Sequence, residues 1–504
     1  MTRKRVRRKQ KTSAVIAALL IVVCCGALLY GAMHFLSGER YVSETSSSGV
    51  EEKSMATVSA EITTHSQVEI SDESGSTIYG QISKVSLPKA EGYNAISMEQ
   101  GKESLDNSAL KELYEEMEKS VYHVSEEQNE NLLYPVERIT VRGADLTGVE
   151  VVRVLSAFLH DHPDVFWISS QYGYASGMGR TVVQLYSMAP PSDCQKFSKQ
   201  MISEIEQILQ GIPENADALD REIYLYDTII ERCLYDDEAA ASNDDWRAHT
   251  ILGVLLDGEA VCEGYARTLQ LLLNQSGIPS MLVTGTASGA HMWNLVRIDG
   301  QWYHADATWD DNGDMAIHKY LNLSDEMIQA DHTLYPIAGA TANQSADQIY
   351  NLPLPSCTAV KANYFRAKGV QVTSENCENT IKNAIVKAAK NKEPSVSVFI
   401  GESLDYDGVL QKLFQQSPYL LMNAVDGANA ELEENQVDYN QCSYIEARES
   451  RGVVILLKYE EKQEVLDESN LLCGNASIPF GKTYLYYGNP QCYARLLLRW
   501  RKIF

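Results

Sequence analysis

Residues 257–279 read DGEAVCEGYARTLQLLLNQSGIP. Apolar residues recur at helical spacing from Ala266 to Leu273, and Gly277 with Pro279 is a typical stop signal, so we predict a helix that begins near Cys262. A thiol in the first turn of a helix faces free backbone N–H groups and the positive end of the helix dipole, which both favour the thiolate. Cys262 is therefore a candidate nucleophile, although most lone cysteines are buried and unreactive core residues.

A second stretch, residues 291–311, reads HMWNLVRIDGQWYHADATWDD and predicts a β-hairpin with Asp299-Gly300 as its turn. With that turn, His291 and Asp306 are diagonal neighbours on one face, within side-chain reach at about 7 Å between backbones. A Cys-His pair needs a third group that orients the imidazole, and the Asp306 carboxylate suits that role. His304 lies on the same face and is a rival histidine, and His and Trp on such a face also occur in ordinary packing.

These residues carry a resemblance. Cys262 in VCEGYA, His291 in HMWN and Asp306 in WYHADATWDD are similar, in order and spacing, to the core of the transglutaminase-like superfamily, especially its bacterial membrane-anchored or secreted members. The flanking AHTILGVLLDGEA and SMLVTGTAS also fit, and the similarity spans about 217–335. Met292 stands where the family pattern has alanine.

The resemblance implies an α+β fold with a papain-like, transglutaminase-like core. It assigns Cys262 as nucleophile, His291 as general base and acid, and Asp306 as the orienting carboxylate, which leaves His304 as a structural neighbour. The backbone N–H of Cys262 would be one oxyanion donor. Trp246 and Trp293 are further candidates for oxyanion or substrate binding.

The chemistry implied is acyl transfer through a thioester. Water as acceptor gives hydrolysis of a protein or peptide, including cell-wall-associated substrates, and a lysine amine gives a crosslink. We expect a protease or amidase that needs no metal or other cofactor. The alternatives are a protein-glutamine transglutaminase and an inactive surface binding or scaffold protein.

The N-terminus predicts a membrane anchor. Seven Lys or Arg residues in positions 1–13 precede the uncharged, mostly apolar segment Ala14–Leu36, whose 23 residues would span about 34 Å as a helix. The charge bias places the N-terminus in the cytoplasm and the bulk of the chain outside. A cleaved signal peptide and lipidation at Cys24 are the alternatives.

Length and net charge limit the number of domains and the class of binding partner. A length of 504 residues predicts about three folded units, and the net charge of −25 argues against nucleic acid as a partner. We expect flanking α+β domains on both sides of the catalytic domain. The predicted organisation is a basic tail (1–13), a transmembrane signal-anchor (14–36), a Ser/Thr/Glu-rich stalk (37–88), an N-terminal α+β domain (89–190), a transglutaminase-like catalytic domain (191–337) and a C-terminal α+β domain of unknown role (345–504).

Three other patterns have competing interpretations. HDHPD (residues 160–164) suggests a metal site or a packed helix exit, and we favour the helix exit. Asp310, Asn312 and Asp314 suggest a calcium loop or an acidic surface turn, and we favour the turn because Met315 stands where a calcium loop needs glycine. The basic, apolar end Tyr493–Phe504 predicts a packed terminal helix or contact with a membrane surface.

Overall fold

The computed structural model describes residues 66–69, 81–87, 96, 99–242, 245–313, 315–337, 351–417 and 419–460. The chain divides into two units, Met1–Thr57 and Val58–Phe504, and every described residue belongs to the second. The predicted tail, the predicted membrane segment Ala14–Leu36 and the terminus Tyr493–Phe504 lie outside the described residues. Among the helices that are described, none combines the length and the apolar character that a membrane span requires.

The first layer is a five-stranded sheet in the order β1-β6-β7-β4, with β5 also paired to β7. The sequence predicts a helix over 147–160, and helix α3 begins there because Thr147 and Glu150 form a reciprocal capping box. The elements up to residue 210 are β1 (Ser66–Glu69), β2 (Ile82–Lys84), α1 (Gln100–Glu103), α2 (Ser108–Ser120), β3 (His123–Ser125), β4 (Tyr134–Pro135), β5 (Ile139–Arg142), α3 (Gly148–Asp161), β6 (Ile168–Gly177), β7 (Arg180–Ser187) and α4 (Pro191–Gln210).

The second layer holds the motifs that the sequence singled out. Its antiparallel sheet has the order β13-β12-β11-β10-β14, and helix α7 packs against β10 and β11. A two-stranded parallel pair, β8 with β9, lies immediately before α7. The elements are α5 (Ala218–Arg232), β8 (Leu234–Tyr235), α6 (Asp237–Ala241), a π-helical turn (Gly253–Asp257), β9 (Glu259–Ala260), α7 (Cys262–Gln275), β10 (Ser280–Thr286), β11 (Ala290–Ile298), β12 (Gln301–Ala305), β13 (Leu321–Leu323), α8 (Asp325–Ile328) and β14 (Thr333–Leu334).

The predicted hairpin is confirmed. Asp299 and Gly300 both have positive φ, 49° and 80°, as a two-residue type I′ turn requires. Pairing runs from Ile298 with Gln301 to Asn294 with Ala305, which is the register that the turn predicts.

The last layer is a four-stranded sheet in the order β15-β16-β18-β17 with its own buried core. The sequence pattern predicts a helix over Glu378–Asn391 and a strand over Ser395–Ile400, and both elements have those bounds in the structure. Helix α12, which the sequence did not predict, packs against α10. The elements are α9 (Tyr364–Lys368), β15 (Val370–Val372), α10 (Glu378–Asn391), β16 (Ser395–Ile400), α11 (Tyr406–Leu410), a π-helical turn (Gln411–Gln415), α12 (Leu420–Asn429), two 3-10 turns (Tyr439–Gln441 and Arg448–Ser450), β17 (Ser443–Ala447) and β18 (Gly452–Leu456).

One large core joins the first two layers. Its buried side chains extend from Val85 to Ala362, so the hydrophobic core is continuous across residue 190, where we placed a domain boundary. Strands β1 and β2 lie within 37–88, the segment predicted to be a stalk, and β1 pairs in parallel with β6. Those seven residues are therefore part of the folded structure. Each strand is too short to give a recognisable alternating pattern among the surrounding polar residues.

Two predicted elements differ in the structure. The apolar spacing of residues 246–256 predicts a helix, but the structure has turns and the π-helical turn Gly253–Asp257 there, followed by Gly258 in the left-handed conformation (φ 73°). Alternating residues over 134–141 predict one strand, but the structure has two, β4 and β5. The buried Gln184 side chain donates to the Val136 carbonyl at 2.7 Å, and Pro135 has no N–H.

Candidate active site

Cys262 is the first residue of helix α7, as predicted. Val261, the residue before it, is extended and supplies no side-chain cap, so N–H groups of the first turn remain available to a ligand. Gly264 lets this turn pack closely, since a Cβ there would lie 2.6 Å from the Ala248 carbonyl oxygen. The thiol is 2% exposed, which places it at the buried end of any approach by a substrate.

His291 and Asp306 meet as the hairpin register predicts. His291 is the second residue of β11, Asp306 follows the last residue of β12, and His291 Nε2 lies 2.6 Å from Asp306 Oδ2. The other carboxylate oxygen, Oδ1, accepts the backbone N–H groups of Thr308 and Trp309 at 3.0 and 3.2 Å. The carboxylate is therefore held from both sides.

The Cys262 side chain lies close enough to the same imidazole to contribute to its raised pKa. Because Asp306 occupies Nε2, the ring atom left for the thiol is Nδ1. The structure thus brings Cys262, His291 and Asp306 together in the order that a cysteine nucleophile, its base and an orienting carboxylate require.

Charge interactions determine the pKa values of His291 and Asp306. Burial by itself lowers the pKa of His291, but the Asp306 carboxylate and the hydrogen bond with Cys262 raise that pKa to about 10. Burial favours neutral Asp306, yet His291 and His332 together hold the pKa of Asp306 well below its usual range. At neutral pH the pair is an imidazolium and a carboxylate, which places a positive charge beside the Cys262 side chain.

The rival histidine, His304, has different partners. Its Nε2 contacts Asp325 Oδ1 at 2.9 Å, and its Nδ1 accepts the indole N–H of Trp293 at 3.0 Å. Both ring nitrogens are therefore occupied away from Cys262. The Trp293 ring stacks on His291 at 5.8 Å between centroids, so Trp293 packs beside the site but its N–H is already donated.

A cleft of about 460 Å³ opens at His291. Small residues form much of its wall, and Asp237 adds a carboxylate. The lining residues are Tyr235, Asp237, Ala240, Ala241, Ala287, Ser288, Gly289, Ala290, His291, Thr308 and Trp309.

Trp246, a predicted candidate for the oxyanion site, packs against the main core and does not line this cleft. Tyr235 does line it, and the β8-β9 pairing places Tyr235 opposite Ala260, two residues before Cys262. Burial raises the pKa of Tyr235, and the nearby negative charge of the Cys262 thiolate raises it further. The Tyr235 hydroxyl is therefore a better-placed hydrogen-bond donor than the indole N–H of Trp246. The strand that carries Tyr235 is only two residues long, so the sequence did not indicate it.

Sequence reasoning also missed His332. This fully buried histidine lies 26 positions after Asp306 in the chain, and its Nε2 is 3.0 Å from Asp306 Oδ2. It follows a short helix, α8, and the polar run around it has no periodicity that would mark it as part of a site.

Two groups of side chains have the spacing of metal ligands. One is His291, Asp306 and His332, and the other is His304, Asp325 and Cys357, with the ligand atoms of each group within 4.8 Å of one another. Hydrogen bonds account for both arrangements: His291 and His332 contact Asp306, and both nitrogens of His304 are engaged. The short distances within both groups are therefore those of hydrogen-bonded networks.

The two weaker motifs have structural partners. His162, at the exit of α3, stacks on Phe158 at 4.5 Å, and Asp161 accepts the Tyr114 hydroxyl at 2.8 Å. Asp310 is not on a surface turn, as we expected, but is fully buried. It accepts the Tyr226 hydroxyl at 2.6 Å, and burial raises its pKa to about 7. Asp314 lies outside the described residues.

Residues 206–307 match the model of the transglutaminase-like superfamily, and no curated protein matches the chain. Similar solved structures include a TGase with 16% identity, TM-score 0.22 and coverage of 41% of this chain and 59% of that chain. A proposed cysteine protease from Cytophaga hutchinsonii has 18% identity, TM-score 0.18 and coverage of 27% and 55%, respectively. A proposed protease from Parabacteroides distasonis has 13% identity, TM-score 0.18 and coverage of 27% and 35%. The chain spans less than two thirds of each of these structures, and likenesses at such TM-scores add nothing to the family match.

Proposed function

Since this chain carries a domain of the transglutaminase-like superfamily, we propose that it is a cysteine-dependent acyl-transfer enzyme that hydrolyses amide bonds of proteins or peptides. One arrangement supports the proposal: His291 lies beside Cys262, the first residue of a helix, and contacts the buried carboxylate of Asp306 at 2.6 Å. A cysteine nucleophile, a general base and an orienting acid are the minimum that thioester chemistry needs.

In the first half-reaction the Cys262 thiolate attacks the carbonyl carbon of the amide. The new C–S bond pushes the electron pair onto the carbonyl oxygen, for which the backbone N–H of Cys262 and the Tyr235 hydroxyl are candidate donors. As the C–N bond breaks, imidazolium His291 gives its proton to the leaving amine. The products are an amine and a thioester on Cys262.

In the second half-reaction neutral His291 takes a proton from water, and the resulting hydroxide attacks the thioester carbonyl. The C–S bond breaks, and the thiolate returns to its ion pair with His291. A primary amine in place of water gives a new amide bond, which is the crosslinking alternative. Asp237 supports that alternative, because its carboxylate in the cleft suits the ammonium group of a lysine.

We also propose that the enzyme acts outside the cytoplasm, tethered by Ala14–Leu36. The support is the sequence alone: a basic cluster of seven residues followed by 23 uncharged, mostly apolar ones. Resistance of the chain to carbonate extraction from membranes, with cleavage by protease added to intact cells, is the expected result. Release by carbonate would contradict the anchor.

The function is tested by incubating the purified full chain with a peptide library and a tagged primary amine, followed by mass spectrometry. New peptide termini indicate hydrolysis, and incorporation of the amine with loss of ammonia indicates crosslinking. Either activity should vanish in Cys262→Ala and persist in Cys357→Ala, a matched control in which burial raises the thiol pKa to about 12. If wild type does neither and Cys262 reacts with thiol reagents only after denaturation, the chain is a binding or scaffold protein.

A further inference from the structure

His332 contributes a second imidazole to the buried group around Asp306. Its Nε2 lies 3.0 Å from Asp306 Oδ2, the same oxygen that His291 contacts at 2.6 Å. Its Nδ1 lies 2.7 Å from Asp331 Oδ1. Because the acyl-transfer steps above do not use His332, its place in the site needs a separate explanation.

The direction of these hydrogen bonds follows from the partners. Both ring nitrogens of His332 face carboxylate oxygens, which only accept hydrogen bonds, so Nε2–H donates to Asp306 and Nδ1–H donates to Asp331. Asp306 then receives four donors: two backbone N–H groups at Oδ1 and two imidazoles at Oδ2. The backbone pair fixes one oxygen, and His332 approaches the other from a direction different from that of His291.

The surroundings of His332 leave its ring little freedom. The imidazole is enclosed by Trp309, Trp293 and Tyr320, with ring centroids 4.8, 5.1 and 5.5 Å away. The Tyr320 hydroxyl donates to Asp331 at 2.6 Å, so the carboxylate that faces Nδ1 is itself held. A buried donor in such a rigid setting can define where the Asp306 carboxylate points.

The backbone is built to bring His332 to this place. Gly285 of β10 pairs with His291 on one side and with Leu334 of β14 on the other. A Cβ at Gly285 would lie 2.1 Å from the Thr333 carbonyl oxygen, so only glycine lets β14 approach so closely. The strand that follows His332 is thereby held beside the strands that carry the site.

We propose that His332 is a positioning residue: its Nε2–H holds the Asp306 carboxylate in the orientation that His291 requires. The proposal rests on the proposed function for its kinetic consequences but not for its geometry. The titratable or polar groups that face His332 are Asp306, Asp331, His291, His304 and Tyr320.

Two polar substitutions separate the two contacts. In His332→Gln the amide nitrogen replaces Nε2 and keeps a donor for Asp306. In His332→Asn it replaces Nδ1 and keeps only the contact with Asp331. We expect His332→Asn to lower kcat by about 10- to 100-fold with KM within about threefold, the loss typical of a hydrogen bond to a charged group, and His332→Gln to recover most of it.

A second readout needs no substrate. The rate at which iodoacetamide alkylates Cys262 should change near pH 10 in wild type, where His291 loses its proton. If His332 orients Asp306, that step moves by about one pH unit or more to lower pH in His332→Asn and stays in place in His332→Gln. His332→Phe, which keeps a ring but no donor, makes the same comparison if the Asn variant does not fold.

The results of these experiments test the role of His332 separately from the proposed enzymatic function. If the alkylation step stays at the same pH in both His332→Asn and His332→Phe, or moves to higher pH, the positioning role is overturned. Equal losses in the Gln and Asn variants, in proportion to their loss of thermal stability, overturn it as well. A shifted step in a protein that turns over no substrate refutes the proposed function and leaves the role of His332 standing.

Discussion

Replacement of Asp306 by asparagine is the perturbation that the geometry predicts in most detail. Asp306 Oδ1 accepts the backbone N–H groups of Thr308 and Trp309, so the asparagine oxygen will keep that position. The amide NH₂ then faces His291 Nε2, where the carboxylate oxygen was. Neutral His291 would carry its proton on Nδ1, toward the thiol, and could not take the proton of Cys262.

The size of the effect follows from the protonation of His291. With a pKa of about 10, His291 is roughly 99% imidazolium at pH 7.5. Removal of Asp306 takes away the largest influence that raises this pKa and leaves burial, which lowers it, as the largest that remains; at the ordinary pKa of 6.5 about 10% of His291 is protonated at pH 7.5. Loss of the acid alone lowers the rate at least about tenfold, and the wrong tautomer brings the expected loss in kcat to about 10³–10⁴, as for the analogous change in serine proteases.

The assay is the pH dependence of Cys262 alkylation by iodoacetamide, read by peptide mass spectrometry. Cys357→Ala is the background control. Below pH 8 we expect Cys262 to be alkylated faster in wild type than in Asp306→Asn, because only wild type keeps the imidazolium of His291 beside the thiol. Identical profiles in the two proteins would refute the reasoning.

The same pair carries a stability prediction with a definite sign. Because the pKa of His291 is higher in the folded protein than the ordinary 6.5, its stabilising effect is fully present below pH 6.5 and is lost as the pH rises to about 10. The pKa of Asp306 is lowered on folding, so its effect is present above 3.8 and is lost in acid. The melting temperatures of wild type and Asp306→Asn should therefore differ most between about pH 4 and 6.5, and a difference that grows towards pH 10 would contradict the pairing.

Three further variants test other parts of the structure. Glu222→Gln should raise the free energy of unfolding by about 1–3 kcal/mol at neutral pH, because burial raises the pKa of Glu222 to about 8. Urea unfolding should show this gain shrink as the pH falls to 4.5, and a gain that does not depend on pH would contradict the assignment. Gly264→Ala should displace the first turn of α7 and lower the alkylation rate of Cys262 at least about tenfold, since overpacking forces the backbone to shift; an unchanged rate would show that the turn tolerates the methyl group. Trp293→Phe leaves the buried Nδ1 of His304 without its donor and should cost about 1–3 kcal/mol of stability while Cys262 keeps its pH profile. A lost profile at unchanged stability would instead give Trp293 a role at the thiol.

The parts of the fold that could be predicted from the sequence are those with local signals. Two local signals predicted helix α7: the apolar spacing that continues from Ala266, and the stop signal at Gly277 and Pro279. Together they placed the start of the helix at Cys262, where the structure has it. The Asp299-Gly300 turn determined the hairpin register, and with it the contact between His291 and Asp306. These features depend on backbone preferences within a few residues.

The missed features depend on contacts between distant segments. His332 reaches Asp306 only because β14 is added to the edge of the sheet beside Gly285. Residues 246–256 have helical apolar spacing, but Gly253 packs against the Glu259 carbonyl, where a Cβ would lie 2.8 Å away. The chain therefore turns there, because tertiary packing overrides local propensity.

In the proposed reaction one thiol, that of Cys262, is the nucleophile. The most direct test is intact and peptide mass spectrometry of the native full chain after brief exposure at neutral pH to a thiol-directed acyl probe. We predict one acyl adduct on Cys262, formed much more slowly in His291→Ala, while the five other described cysteines (Cys194, Cys233, Cys357, Cys377 and Cys442) stay unlabelled. Labelling of Cys262 no faster than of those five, or no slower in His291→Ala, would contradict the account.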